Sequence, residues 1–585
     1  MAKNPKKEEM NLNEKRVETD VLVIGAGGAG CFAAMKAQDQ GAKVLVVNKV
    51  PWLGGCTMMA RAGYSAAVGT SSPQDNSDVH FHDSVRGGDY MGNQKVLKTM
   101  CRENVEATFE LFRKGAAFRK GPDGQIDQGF KGTAGHSFPR GIRVEGEFSH
   151  IGKVIMDVLQ TEMKKRNIQV LSNVIITNLL TSQGTIAGAV GFDWRSGIFM
   201  VFNAKAVVMA TGGTGRLYKY TDNPAYMTGD GYAAMARAGA ELVDMEFCDF
   251  QLGTYSPPEM FGYPPNCGIW MTQGAILLNK KGERFFKKYF PHRENEGKGL
   301  RTEVSQACAF EILDGNGSPN GMVYMNCSNV PKDWMMTARA DILSHYKRAG
   351  IDLTWQPMEI APGNHTWLGG LRIDENAEST TITGLFAGGE AAGGWGGSNR
   401  LGGNAIAAAL GLGNAAGKAA GEKSRSLAMP TIDEKQVKAE KKRIQDLLAR
   451  REGVRAHTVK TQVQELMQKN VWLRRDEKGL KTTLKELEKL QKSTLPKLCV
   501  PKGLETQRYL WLREALEAIN LVQCGQIVAT AALNRKESRG SHQRTDYPKL
   551  DNKNWLKNVI VWQERGKTKA RTEPVVVTEV PLPEA

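Results

Sequence analysis

Short apolar runs, each ending in glycines, set the pattern of this chain. Residues 21–24 (VLVI) are continuously apolar, 29–40 carry apolar residues at helical spacing, and 43–47 close with a second apolar run. A strand that is apolar throughout has both faces covered, as in a parallel sheet, so these segments predict one strand–helix–strand unit. Two further runs repeat the theme. Residues 206–210 lead into Thr211-Gly212-Gly213-Thr214-Gly215, and 384–390 read GLFAGGE. In an open α/β sheet, ligands bind where strands end in such turns. The three glycine turns lie far apart, so the domain that carries them must be interrupted and completed later.

This pattern predicts a charged, disordered tail over 1–17 and a nucleotide-binding domain over 18–245. An inserted capping domain follows over 246–354, and the first domain is completed over 355–428. From about 430 the texture becomes heptad-like and helical, giving a helical domain over 429–545 and a mixed C-terminal segment over 546–585. The fold class is therefore α/β: a Rossmann-like domain interrupted by an α+β cap and followed by helices.

The first glycine turn has Gly25, Gly27 and Gly30 at GxGxxG spacing between strand and helix. Gly25 permits the tight turn, Gly27 lets backbone approach a pyrophosphate, and Gly30 lets helix and strand pack closely. The phosphates then sit on the unpaired N–H groups of the helix N-terminus. Enzymes that bind NAD usually place an acid at the end of the second strand. Here that position reads Val47-Asn48-Lys49, which points away from NAD and toward FAD.

Composition narrows the picture. The chain of 585 residues is 41% hydrophobic and 24% charged, as for a globular protein of several domains. The N-terminus has no apolar core of a secretory signal, and the alanine- and glycine-rich stretch after Asn399, the nearest approach to a membrane span, is bounded early by Lys418 and Glu422. A cytoplasmic location is the expectation. Nine singly spaced cysteines argue against a disulfide framework, a zinc site or an iron–sulfur cluster bound by this chain alone. The net charge of +16 is concentrated in the N-terminal tail and over 434–503, where Lys alternates with Glu. That reads as a solvated helix surface rather than a nucleic-acid site, and equally allows docking of an acidic partner or an anionic membrane. The His80/His82 pair lacks acidic or thiol neighbours and is expected at the surface, without metal.

VLVIGAGGAG (21–30), ATGGTGRLY (210–218), TGDGYAAMARAGAELVDMEF (228–247), GLFAGGEAAGG (384–394), GSNRLGGNAI (397–406) and ESRGSHQRTDYP (537–548) together resemble the fumarate reductase, succinate dehydrogenase and aspartate oxidase flavoproteins, in order and spacing. The resemblance implies FAD. It places Gly25, Gly27, Gly28 and Gly30 at the pyrophosphate, Lys49 near the adenosine, and Gly55 and Thr57 in the loop after the second strand. Thr211 and Gly212 would lie along the nucleotide, Asp230 and Glu390 would bind it, and Asn404 would lie beside the flavin ring. Membrane-bound relatives attach FAD through a His in the loop that here reads Leu53-Gly54-Gly55-Cys56-Thr57, so noncovalent FAD is expected, with Cys56 a buried thiol.

For catalysis the resemblance implies His365 and Arg400 as holders of a substrate carboxylate and Arg301 as proton donor. A planar guanidinium suits the grip on a carboxylate, but an isolated Arg is a poor acid and needs a partner to restore its proton. Two family features are missing. Gln251 replaces a His that grips a second carboxylate, and Gln273 stands where the Glu of the proton relay belongs, with the relay Arg absent. Glu303 is a candidate substitute, although residues two apart on a helix do not face each other. Three functions remain open. One is interconversion of an unsaturated and a saturated carboxylic acid, with fumarate and succinate the default and a mono-acid or thioester alkene fitting the lost His. Another is a different reaction of the superfamily, such as adenylylsulfate reduction or amino-acid oxidation. The third is electron transfer with no substrate chemistry of its own. The first implies a small carboxylic-acid substrate and an iron–sulfur partner protein.

Overall fold

The computed structural model describes residues 12–52, 54–61, 63–128, 135–145, 150–501 and 507–582. Leu53 of the Cys56 loop lies outside them. The first strand, β1 (Glu14–Ile24), the helix α1 (Gly28–Asp39) and β2 (Val44–Asn48) form the predicted unit, with Val21 beside Val44 and Ile24 beside Val47 in parallel register. The apolar runs are covered on both faces: Val21, Leu22, Val23, Val46 and Val47 are fully buried. β1 starts at Glu14 because its polar half pairs with the strand Ile198–Met209 from Phe199 onward, so the last four residues of the tail expected to run to residue 17 are strand.

The central sheet runs in the order Gln169–Ser172, β2, β1, Ile198–Met209, Thr185–Asp193 and Val174–Ser182. Leu385–Ala387 also joins Ile198–Met209 in parallel, which brings the third glycine turn beside the first two. The long helix Asn404–Ser426 packs on α1 through glycines. A Cβ at Gly413 or Gly417 would lie 2.6 Å or 2.4 Å from the carbonyl oxygens of Ala29 and Ala33.

The cap has its own core and a four-stranded antiparallel sheet in the order Cys248–Gly253, Met358–Trp367, Val323–Asn326, Ile276–Leu278. The sequence pattern puts Met358–Trp367 in the completed first domain. Its pairing with Cys248–Gly253 on one side and Val323–Asn326 on the other puts it in the cap instead, so the cap's sheet runs past residue 354. Helices Glu434–Ala449, Ala456–Asn470, Glu477–Lys489 and Arg508–Asn534 build the C-terminal region. The last is long and apolar enough to cross a bilayer by length and composition, yet 78% of its most apolar window is buried in the fold. A terminal hairpin, Lys557–Glu564 with Lys567–Pro574, returns to pair with Leu242–Val243.

Candidate active site

One cavity of about 1190 Å³ runs from the glycine turns to the cap. At its nucleotide end Gly25 has φ +112°, and a Cβ there would meet the Ala210 carbonyl oxygen at 2.2 Å. A Cβ on Gly30 would lie 1.8 Å from the Gly25 oxygen, so this glycine fixes how closely α1 approaches β1. Gly27 differs: its Cβ would meet only Thr57 Oγ1, at 3.6 Å, and would otherwise point into the cavity. No side chain caps α1 at Gly27. Thr57 Oγ1 accepts the Gly28 N–H at 3.1 Å, and the Gly55 N–H donates to the Tyr226 hydroxyl at 2.8 Å.

Lys49 lies deeper along the cavity. Its ammonium donates to Asp230 Oδ2 at 2.5 Å and Thr228 Oγ1 at 2.9 Å and pairs with Glu517 at 3.1 Å. The Thr211 hydroxyl is buried beside the cavity with no protein partner, and Gly212 takes φ +68°. Glu390 accepts the Trp367 N–H at 2.7 Å, and burial pushes its carboxyl up to about 7. An uncapped helix N-terminus, a cradle that a Cβ at Gly27 would intrude upon, and an unpartnered hydroxyl fit a dinucleotide. Gly25, Gly27, Gly28, Gly55, Thr57, Thr211, Gly212, Lys49, Asp230 and Glu390 could hold FAD, with Gly30 behind them.

Asn404 is turned elsewhere. Its amide donates to Ser84 Oγ and its oxygen meets His80 Nε2, both at 2.9 Å, and it is not among the cavity's lining residues. The same contact corrects the reading of His80 as a surface residue. In the helix Ser77–Gly87, positions 80 and 82 point to opposite sides, so His82 is exposed while His80 is buried and held neutral, its pKa lowered to about 3 by burial and by Arg140.

Arg301, His365 and Arg400 all line the far end of the cavity. His365, on Met358–Trp367, places Nδ1 2.7 Å from Asp222 Oδ2, while the Asn223 amide holds its backbone oxygen at 2.9 Å. Arg400 is buried. One Nη donates to the Leu401 oxygen at 3.1 Å, the other lies 2.9 Å from Asp249 Oδ2, and Nε has no protein partner. Arg301 opens the helix Arg301–Glu311 and donates to the same Asp249 oxygen at 2.6 Å. Glu303 does not reach it. Its carboxylate takes Arg293 twice at 2.9 Å and the Leu300 N–H at 2.8 Å.

Asp249, Asp222 and Glu517 contact the candidate residues Arg301, Arg400, His365 and Lys49, and no sequence motif marks them. Asp249 lies two residues before Gln251 on one strand, a spacing that would place both on one face, but the register shifts between Asp249 and Phe250. Gln251 lines the cavity; Gln273 ends the helix Cys267–Thr272, outside the lining. The 537–548 motif supports the site from behind. Arg535 donates to Glu246 at 2.6 Å and Glu537 at 2.9 Å, and the Gly540 oxygen accepts from Gln306 at 2.8 Å. Cys56 is half-buried at the cavity, its thiol held well above its ordinary value by burial and the Glu390 and Asp222 carboxylates. Among the described residues, no three His, Cys, Asp or Glu side chains gather at metal-binding distance.

Residues 20–406 match the FAD binding domain family, and 460–585 match the family described as fumarate reductase flavoprotein C-term. A fumarate reductase (CoM/CoB) subunit of Methanothermobacter marburgensis is 33% identical over 94% of this chain and 98% of its own length. The fumarate reductase flavoprotein subunit of Escherichia coli is 29% identical, over 96% and 95%. Among solved structures, Mycobacterium smegmatis Sdh1 in complex with UQ1 aligns with TM-score 0.87 and 31% identity over 96% of this chain and 95% of that one.

Proposed function

We propose that this chain, which belongs to the fumarate reductase and succinate dehydrogenase flavoprotein family and is an FAD-dependent oxidoreductase, interconverts an unsaturated carboxylic acid and its saturated counterpart. The supporting observation is the convergence of Arg301, His365 and Arg400 on the cavity that also holds the glycine cradle. When bound, FAD supplies the hydride chemistry. Arg400, whose side chain lines the cavity, offers its guanidinium to a substrate carboxylate, a charge-assisted bond strengthened by burial. His365, oriented through Nδ1 by Asp222, presents Nε2 to the acid. Together they stabilise negative charge that grows on the substrate, and Arg301 gives a proton to the carbon that receives no hydride.

Gln251 can donate a hydrogen bond but carries no charge, so the site holds one carboxylate firmly and a second weakly. With Phe261, Tyr263, Leu300 and Met271 also lining the cavity, a bulkier mono-acid or thioester alkene fits better than fumarate. FAD is held without a covalent link, because a thiol of raised pKa is a weak nucleophile, and acid precipitation should release all the yellow colour. Electrons pass through a separate iron–sulfur protein, which would keep the chain at the cytoplasmic face of a membrane. This is supported by the relatives' description as subunits.

The test is anaerobic. The purified holoprotein is reduced, and flavin reoxidation is followed with fumarate, crotonate and crotonyl thioester. Reoxidation by crotonate or its thioester faster than by fumarate is expected, with Gln251→Ala changing the mono-acid rate less than about 3-fold, as for loss of one neutral hydrogen bond. Failure of every alkene to reoxidise the flavin would overturn this reading in favour of electron transfer or another reaction of the superfamily.

A further inference from the structure

Asp249 stands where the two arginines of the site meet. One oxygen, Oδ2, takes Nη2 of Arg301 at 2.6 Å and Nη2 of Arg400 at 2.9 Å. The carboxylate side chain is 5% exposed, so water screens these contacts little. Behind it lies a second, separate cavity of about 10 Å³, lined on its polar side by Thr302, Ser305, Ser398, Asn399 and Ser541. That volume is about the least that accommodates one water. Asp249 thus stands between the arginines of the substrate cavity and a water-sized one. Glu303, the residue that spacing alone suggests, is committed to Arg293.

We propose that Asp249, which shares one oxygen between the two arginines, is the proton relay that reloads Arg301. The proposal rests on the alkene-reducing reading above. When Arg301 protonates the substrate carbon, an N–H bond breaks and a C–H bond forms, leaving a neutral guanidine. Asp249 then faces a neutral guanidine on one side and the Arg400 guanidinium on the other. It takes a proton from solvent, and its O–H bond then breaks as the N–H of Arg301 reforms. One solvent proton reaches carbon in each turnover, and no electrons pass through Asp249. The charged and titratable groups that face this exchange are Arg301 on its helix, Arg400 on its loop and Cys248 next in the strand, with Glu390 and Asp222 farther out against Arg400. Asp249 is accordingly a positioning and relay residue; it need not touch substrate.

The test compares wild type, D249N and D249E, each first shown by its absorbance spectrum to hold FAD. D249N keeps the size and one acceptor but cannot carry a proton. It should slow reoxidation by fumarate or crotonate about 100-fold, within the range for a lost proton-transfer group, with the KM moved less than about 3-fold and D249E restoring most of the rate. A second readout needs no turnover. Calorimetric titration of fumarate or crotonate into the oxidised protein, a pair that cannot exchange hydride, in buffers of different ionisation heat, should show proton uptake in wild type that D249N lacks, because an anion added to a buried site is offset by a proton taken up at the relay. A D249N rate within about 3-fold of wild type overturns the relay while leaving the alkene reading intact. So does a loss in D249N matched by equally weakened ligand binding and not rescued by D249E, which would make Asp249 a brace for the arginines. If no unsaturated acid reoxidises even the wild-type flavin, the reading beneath fails and the relay falls with it.

Discussion

Arg400 is only partly engaged by its own protein. One nitrogen holds a backbone oxygen, one holds Asp249, and Nε is buried with nothing to hold. A buried donor left unpaired costs free energy until a ligand satisfies it, which is how a site prepared for a carboxylate differs from a structural ion pair. Lysine in its place would keep the charge but lose the planar fork. Arg400→Lys should therefore raise the KM for the acid about 30-fold, in line with the loss of a charge-assisted hydrogen bond of about 2 kcal/mol. The flavin spectrum should stay unchanged, and steady-state kinetics with a reduced dye as electron donor measures it. An unchanged KM would place the substrate carboxylate elsewhere. At this scale the sequence is legible where a candidate residue sits inside a motif, as at Arg400 and His365, both of which line the cavity. It is not legible for Asp249, whose relation to Arg301 depends on a strand irregularity, nor for Asp222, which reaches His365 across 143 positions. His80 is misleading in sequence because a two-residue spacing means one side in a strand and opposite sides in a helix.

At the scale of elements, the glycines of the first turn do two different jobs, and the structure separates them. Gly30 is a packing residue: a methyl group there overlaps the Gly25 carbonyl oxygen at 1.8 Å, backbone that cannot yield without moving α1 off β1. Gly27 faces the cavity instead: a methyl group there finds ordinary contact with Thr57 at 3.6 Å and otherwise enters the space where FAD would lie. Gly30→Ala should lower the stability of the FAD-free protein by about 2–3 kcal/mol, as overpacking does. Gly27→Ala should leave that stability within about 0.5 kcal/mol, as for substitutions that meet no close neighbour, yet weaken FAD binding. Thermal melts of the FAD-free variants and FAD titration separate the two, and equal destabilisation by both would contradict the division. The strand–helix–strand unit is readable because its signals are local: apolar runs, helical spacing and glycines within one stretch of chain. The membership of Met358–Trp367 in the cap is not, since pairing with Cys248–Gly253 joins residues more than a hundred positions apart.

At the scale of the whole molecule, the helical C-terminal region reaches into the nucleotide site. Glu517 on Arg508–Asn534 shares the Lys49 ammonium with Asp230 and also takes Lys460 at 2.8 Å, while Asn520 of the same helix donates to Asp230 at 2.7 Å. Nothing in the sequence links Lys49 to Glu517; only the folded chain brings the end of β2 under a helix that begins 459 residues later. Desolvation on burial pushes the Glu517 carboxyl up, but Lys49, Lys460 and Arg513 outweigh it and hold it down at about 2. An unfolded glutamate titrates near 4.3, about two pH units higher. A folded pKa below the unfolded one means that the stabilisation is fully present above about pH 4.3 and is lost as pH falls through about 2. Glu517→Gln leaves Lys49 and Lys460 short of a counter-charge in a buried place, so at neutral pH it should cost about 3 kcal/mol, the lower end for breaking a buried pair. The deficit relative to wild type should shrink on acidification below about pH 4.3, because the unfolded wild-type chain then binds a proton at this glutamate that the folded chain does not take up until about pH 2. Denaturant melts of both proteins across that range measure it. A deficit independent of pH would mean that Glu517 contributes by packing alone, and that the helical region covers the nucleotide site without an electrostatic hold on it.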